Sequence, residues 1–187
     1  APIENPVEMD EHLPTVTAKL QQSDLYKSLF KKAFGTEEIT SAKMLKALSQ
    51  FMLQCVSANS KYDHYVRNEG AQLTADELAG RTIFQQKCSS CHATDLFTDN
   101  AFHNNGLIPS MVNDSGRYRI TLNEKDWHLF KTPSLRNIAV TSPYMHDGRF
   151  RTLSAVLDHY SSGVQKSATL DKRLINGNKT GISLTAD

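Results

Sequence analysis

The chain has 187 residues, 39% of them hydrophobic and 22% charged, with a formal charge of +1, which allows one good core or two small ones. A balance of 21 basic against 20 acidic side chains excludes a broad basic face for nucleic acid and an acidic tail. No apolar run approaches the roughly 20 residues that cross a bilayer, the opening APIENPVEMD lacks the basic start and apolar centre of a signal peptide, and three cysteines, two of them close together, do not make a disulfide framework.

Residues 1–14 read as a proline-marked loop, followed by a short helix over Thr15 to Gln22. In SDLYKSLFKKAFG, Ser23 is a helix cap, Leu25, Leu29 and Phe30 share a face, and Gly35 ends the helix. A longer helix is expected from Thr40 to Ala58. Its Met44, Leu45, Leu48, Phe51, Met52 and Cys55 recur at three- and four-residue steps, the stripe of a helix buried on one side, so Cys55 is expected in the core as a small hydrophobe. Thr74 and Glu77 have capping-box spacing and open a helix that runs to about Lys87. From Ala93 to Pro133 the pattern is irregular, with Gly106, Pro109 and Gly116 as turn markers and no strand alternation. Loops of that length wrap something or carry function. A last helix, Thr152 to Ser161, closes at Gly163. The final letters ISLTAD echo QLTADELAG, as if another helix began at Leu184 and Thr185, and both ends read as those of a fragment of a longer protein.

Cys88, Cys91 and His92 form Cys-x-x-Cys-His. That spacing lets two thiols add to the vinyl groups of one haem while the adjacent imidazole reaches its iron. A thioredoxin-like dithiol would want a βαβ context and a zinc site a second ligand pair, and neither is evident. Candidates for the second axial position are His103, His128, Met145, His146, His159 and Tyr160; spacing does not choose among them, and each has a bland reading as a surface, hydrogen-bonded or core residue.

The segment FKTPSLRNIAVTSPYMHDGRFRTLSAVLDHYSSG, Phe130 to Gly163, with PIENPVEM at Pro2, SKYDHY at Ser60 and the haem motif, resembles the bacterial di-haem cytochrome c peroxidases and the related enzymes that mature methylamine dehydrogenase. The resemblance implies a mainly α fold: a class I cytochrome c-like haem domain with long loops over residues 71–187, lacking its last helix, after residues 1–70 that complete a peroxidatic haem domain and the inter-domain helices. It implies covalent haem c here and a second haem in an N-terminal part that would precede Ala1. Glu8 takes the place of the family's distal acid/base, with Pro2 lining the same pocket. Thr141 and Pro143 match positions whose backbone carbonyls hold calcium. Tyr160 stands where peroxidases have a methionine ligand and the maturation enzymes a tyrosine. A phenolate favours high-valent iron and a thioether raises the reduction potential, so Tyr160 is the expected sixth ligand and Met145 its competitor.

The implied activity is reduction of hydrogen peroxide with electrons from a small redox protein, relayed through the covalent haem. The alternatives are a high-valent di-haem oxidase of a protein substrate and a mono-haem electron-transfer cytochrome. A periplasmic or exported location, a homodimer, no membrane span and no nucleic-acid partner complete the expectation.

Overall fold

In a computed structural model, residues 2–109 and 114–184 are described. The expected helix opening at Thr185 lies outside the described residues, as does Ala1. The fold is mainly helical and divides into two compact units, Ala1–Ala58 and Asn59–Asp187.

The first unit holds α1 (Leu13–Gln21), α2 (Asp24–Phe34) and α3 (Ser41–Gln54). Pro14 opens α1 in the first turn, where its missing N–H costs nothing. Gly35 ends α2 at φ 75°, a left-handed cap suited to glycine. The Thr40 hydroxyl accepts from Lys43 N–H to cap α3. Phe30, Ile39 and Met44 form the core, with Ile3, Leu13, Val16, Leu20 and Phe34 against it. Two sequence expectations fail here. Leu25 and Leu29 are exposed, and the buried face of α2 runs through Phe30 and Phe34. On α3 only Met44 is buried; Leu45, Leu48, Phe51 and Met52 are exposed, and Cys55 is an exposed residue whose thiol meets the Phe51 carbonyl, not a core residue. Periodicity locates an apolar face but does not supply what packs on it.

The second unit begins with α4 (Lys61–Val66) and α5 (Ala75–Lys87). Both start with a complete capping box, Ser60 with Asp63 and Thr74 with Glu77. The irregular middle contains β1 (Phe102–His103), α6 (Tyr118–Thr121) and β2 (Phe130–Lys131); β1 and β2 pair antiparallel, Phe102 opposite Lys131 and His103 opposite Phe130. Next, α7 (Leu153–Asp158) passes into a π-helical turn, His159–Gly163, before β3 (Ile175–Asn176) and β4 (Lys179–Thr180) form a small hairpin. The last expected helix is thus shorter in its α part, and its closing Gly163 lies against His159, where a Cβ would come within 3.1 Å of Nδ1. Among the described residues of this unit, Leu107, Val164, Leu170 and Leu174 are the buried hydrophobics, a thin core for its length.

A buried ion pair fastens α4 to the loops. Asp63, 3% exposed, receives both Arg136 terminal nitrogens at 3.0 Å, while Arg136 Nε donates to the Asp95 carbonyl. That fork fixes the start of the unit against both the loop after His92 and the segment after β2.

Candidate functional site

The α5 helix delivers the Cys-x-x-Cys-His motif at its C-terminal end. Cys88 is the cap, its N–H bonded to the Phe84 carbonyl at 2.8 Å, and the Cys88 carbonyl accepts from Cys91 N–H at 3.2 Å and His92 N–H at 3.0 Å. This tight turn puts the two free thiols, each half-buried, near each other. Burial pushes both thiols up from the ordinary range; for Cys91, Arg173 partly opposes the shift. A reactive dithiol needs the opposite shift.

His92 Nδ1 lies 2.9 Å from the Phe97 carbonyl. The Pro133 backbone is a second hydrogen-bond partner of the ring; with the Nδ1 proton donated to Phe97, Nε2 would carry the lone pair that a metal needs. Burial lowers the His92 pKa, which also favours the neutral imidazole that ligation requires. The loop closes on itself around this bond: Thr98 N–H reaches the Ala93 carbonyl at 2.8 Å and Asp99 N–H the Cys91 carbonyl at 2.8 Å. Phe97 packs edge-on to Phe84 and against Tyr62.

Arg173 anchors the motif from the C-terminal segment. It donates to the Ser90 carbonyl at 2.7 Å, to the Asp171 carboxylate at 2.8 Å, and contacts His103. His103 itself sits between Asp99 at 2.8 Å and Asp171 at 2.7 Å. Its two ring nitrogens are thereby engaged. Of the other downstream histidines, buried His159 hydrogen-bonds the Asn105 carbonyl at 3.0 Å, whereas His128 contacts the Trp127 ring and His146 stacks on Phe130 with ring centres 3.7 Å apart, and both line a pocket with Asn104, Asn105 and Leu107.

Met145 meets a residue that the sequence did not single out: Asn105 donates from Nδ2 to its Sδ at 3.4 Å. Burial raises the Tyr160 pKa, with Asn105 opposing and Cys91 and Cys88 adding to the shift. In the sequence, Asn105 in HNNG reads only as turn punctuation. One further group went unnoticed. Arg81 lies one turn before Phe84 on the α5 face that leads to Cys88, and its buried Nε has no hydrogen-bond partner among the described residues.

The remaining sequence candidates lie elsewhere. Glu8 is exposed in a turn of the first unit, its N–H bonded to the Asn5 carbonyl at 3.0 Å, and Pro2 accepts from Met9 N–H in the same turn. Thr141 and Pro143 are exposed in the turn after Ile138–Val140. No helix is long and apolar enough to cross a membrane among the described residues.

Comparison with known proteins places this geometry in context. Residues 1–71 match the family model described as Di-haem cytochrome c peroxidase. The chain is 37% identical over 172 residues to methylamine utilization protein MauG of Methylorubrum extorquens, covering 90% of this chain and 49% of that protein. It is 34% identical over 164 residues to cytochrome c551 peroxidase of Nitrosomonas europaea, covering 84% and 48%. Among solved structures, a MauG-like protein associated with microbial copper homeostasis aligns with a TM-score of 0.78 and 33% identity, over 94% of this chain and 55% of that one. The chain thus spans about half the length of the relatives it matches.

Proposed function

The chain belongs to the family of di-haem cytochrome c peroxidases and MauG, and on that premise we propose that it supplies the haem c relay site of a periplasmic or exported di-haem oxidoreductase that reduces hydrogen peroxide with electrons from a small redox protein. The observation that carries this reading is the closed loop from Cys88 to Asp99, which presents two free thiols beside an imidazole held at Nδ1 by the Phe97 carbonyl.

The residues fit a haem. The second unit buries few hydrophobics of its own among the described residues, so a large apolar ring would add substantially to its core. Arg81 offers an unpartnered N–H, for which a propionate carboxylate is a matching acceptor. Cys88 and Cys91 would attach the group, His92 Nε2 would bind its iron, and Tyr160 would stand opposite, with Met145 as the competing donor. When bound, haem c supplies a one-electron centre whose potential is set by its axial ligands. The protein would hold His92 in one tautomer through Phe97, packs Phe97 on Phe84 beside it, and pins the attachment loop through Arg173. Glu8 would serve the peroxide-reactive centre, taking a proton from one peroxide oxygen and returning it to the leaving one. Thr141 and Pro143 carbonyls would join a calcium site.

In finer detail we assign residues 71–187 a class I cytochrome c-like arrangement, residues 1–70 to the first haem domain and the linking helices, and the assembly to a homodimer. The exposed apolar stripe Leu45, Leu48, Phe51 and Met52 suits a face that further polypeptide covers. The half-buried Tyr160 favours a second reading within the family, oxidation of a protein substrate, because a phenolate stabilises oxidised iron.

Production with a c-type haem maturation system tests the reading. Intact mass and the haemochrome spectrum should report covalent haem, lost in the double variant Cys88→Ala/Cys91→Ala. Peroxide turnover with a reduced cytochrome should accompany two haems in the native protein. One haem and no turnover would leave the electron carrier instead.

A further inference from the structure

We propose that the buried Asp63–Arg136 pair positions His92, acting through three consecutive carbonyls of the loop after the motif to set the hydrogen bond at Nδ1 and with it the donor strength of the imidazole. The inference rests on the haem relay reading above. The three carbonyls are those of Asp95, Leu96 and Phe97. Arg136 Nε donates to the first at 2.7 Å, Ser134 Oγ donates to the second at 2.6 Å, and the third faces His92 Nδ1 at 2.9 Å. Beyond them, Thr98 Oγ1 donates to the Thr132 carbonyl at 2.7 Å, and Thr132 N–H to the Ala101 carbonyl at 2.9 Å. Segment 132–136 thus grips the loop on both sides of Phe97 and leaves the Phe97 carbonyl for the imidazole. Pro133, the second backbone partner of the His92 ring, belongs to the same segment. The Arg136 guanidinium also lies over the Phe97 ring, 5.7 Å from its centre.

The loop does not keep this shape for local reasons. Thr94 and Phe97 sit at φ 64° and 54°, the left-handed region that β-branched and bulky side chains disfavour. Residues persist there when their surroundings over-determine them, and such strain gathers at functional positions. Here the surroundings are ordered by Asp63. Its carboxylate accepts from both Arg136 terminal nitrogens at 3.0 Å, from Ser60 N–H at 2.9 Å and from Ser60 Oγ at 2.7 Å, and it is 3% exposed. The fork fixes the guanidinium plane, and therefore the direction of its Nε–H toward Asp95. The sequence stretches SKYDHY and KTPSLRN meet in this contact. A well-directed acceptor at one imidazole nitrogen makes the other a stronger donor to a metal, which favours the oxidised state. The pair would act on an iron that neither residue touches: holding the Phe97 carbonyl in line keeps the potential low, and releasing it raises the potential.

The test uses the full-length haem-loaded protein. Covalent loading is measured by intact mass, and two readings follow: the midpoint potential of the haem on the Cys88–Cys91 motif, and hydrogen exchange at His92 Nδ1–H by NMR. The wild type should load haem and protect that proton. Arg136→Leu should raise the potential and speed the exchange. Asp63→Asn, which keeps the shape but removes the charge that aligns the guanidinium, should move both the same way by less, as should Ser134→Ala, which removes only the Leu96 clamp. Arg136→Lys, whose one ammonium cannot serve both Asp63 and the Asp95 carbonyl in fork geometry, should not restore either reading. Thr74→Ala, a loss of stability at the far end of α5, should leave both unchanged. A wild type that loads no covalent haem would overturn the relay reading and this inference with it. A loaded wild type whose Asp63→Asn and Ser134→Ala variants keep its potential and its exchange rate would sink the positioning role alone, whether or not Arg136→Leu folds. Equal shifts in Thr74→Ala would do the same, because the readings would then follow stability and not the Phe97 carbonyl.

Discussion

Asp63 and Arg136 join segments 73 residues apart within the second unit. Arg136, and after it the Ser60 hydroxyl and N–H, hold the Asp63 carboxyl well below the usual carboxylate range. Asp171 is likewise lowered to about 2, first by Arg173. Because both values are depressed in the folded state, their stabilisation is complete above the unfolded value of about 4. It is lost as pH falls through the folded values, so thermal midpoints should be flat near neutrality and fall below about pH 4. Arg136→Leu should lower the midpoint at neutral pH and flatten the fall below about pH 4, because the Asp63 carboxyl is then no longer held down by its partner. A variant with an unchanged acid profile would show that the pair is not what resists acid. At Glu8, the family assignment predicts that Glu8→Gln lowers peroxide turnover by roughly 10² to 10⁴-fold while leaving covalent haem content unchanged.

Among the elements, α5 was the most legible, because everything that defines it is local. Thr74 and Glu77 announce its start three residues apart, and Cys88, Cys91 and His92 announce its end. Thr74→Ala should cost about 1 kcal/mol by denaturant unfolding, without altering haem attachment. The Asn104–Gly106 segment was illegible for the opposite reason. Its partners lie in the 159–171 segment, far along the chain, and nothing near Asn105 distinguishes it from a turn residue. Gly106→Ala should cost about 2 kcal/mol or more, from left-handed strain and the clash with Val164. The α3 stripe misled in a third way: the spacing of Met44, Leu48, Phe51 and Cys55 is helical and apolar, yet within this chain the stripe beyond Met44 is not covered.

On the scale of the molecule, the two units differ in how they are held. The first has a small aromatic and aliphatic cluster of its own, whereas the second relies on hydrogen-bonded loops around few buried hydrophobics. Loss of covalent haem in Cys88→Ala/Cys91→Ala should therefore weaken the second unit selectively. The expected signature is a broader, earlier unfolding transition, increased binding of a hydrophobic dye and loss of near-ultraviolet circular dichroism, with α1 to α3 retaining their amide protection. Equal loss in both units would contradict the division. The closed loop from Cys88 to Asp99 has one more consequence, for the order of assembly. Its bonds span only a few residues, so they form on the timescale of local loop closure, about 10–100 ns, long before the distant contacts from Arg173 and Asn105. A nascent chain can thus offer the maturation machinery two thiols and a correctly turned imidazole while the rest of the unit is still unfolded. On the proposed reading attachment would in that sense be an early event, with the long-range contacts closing afterwards.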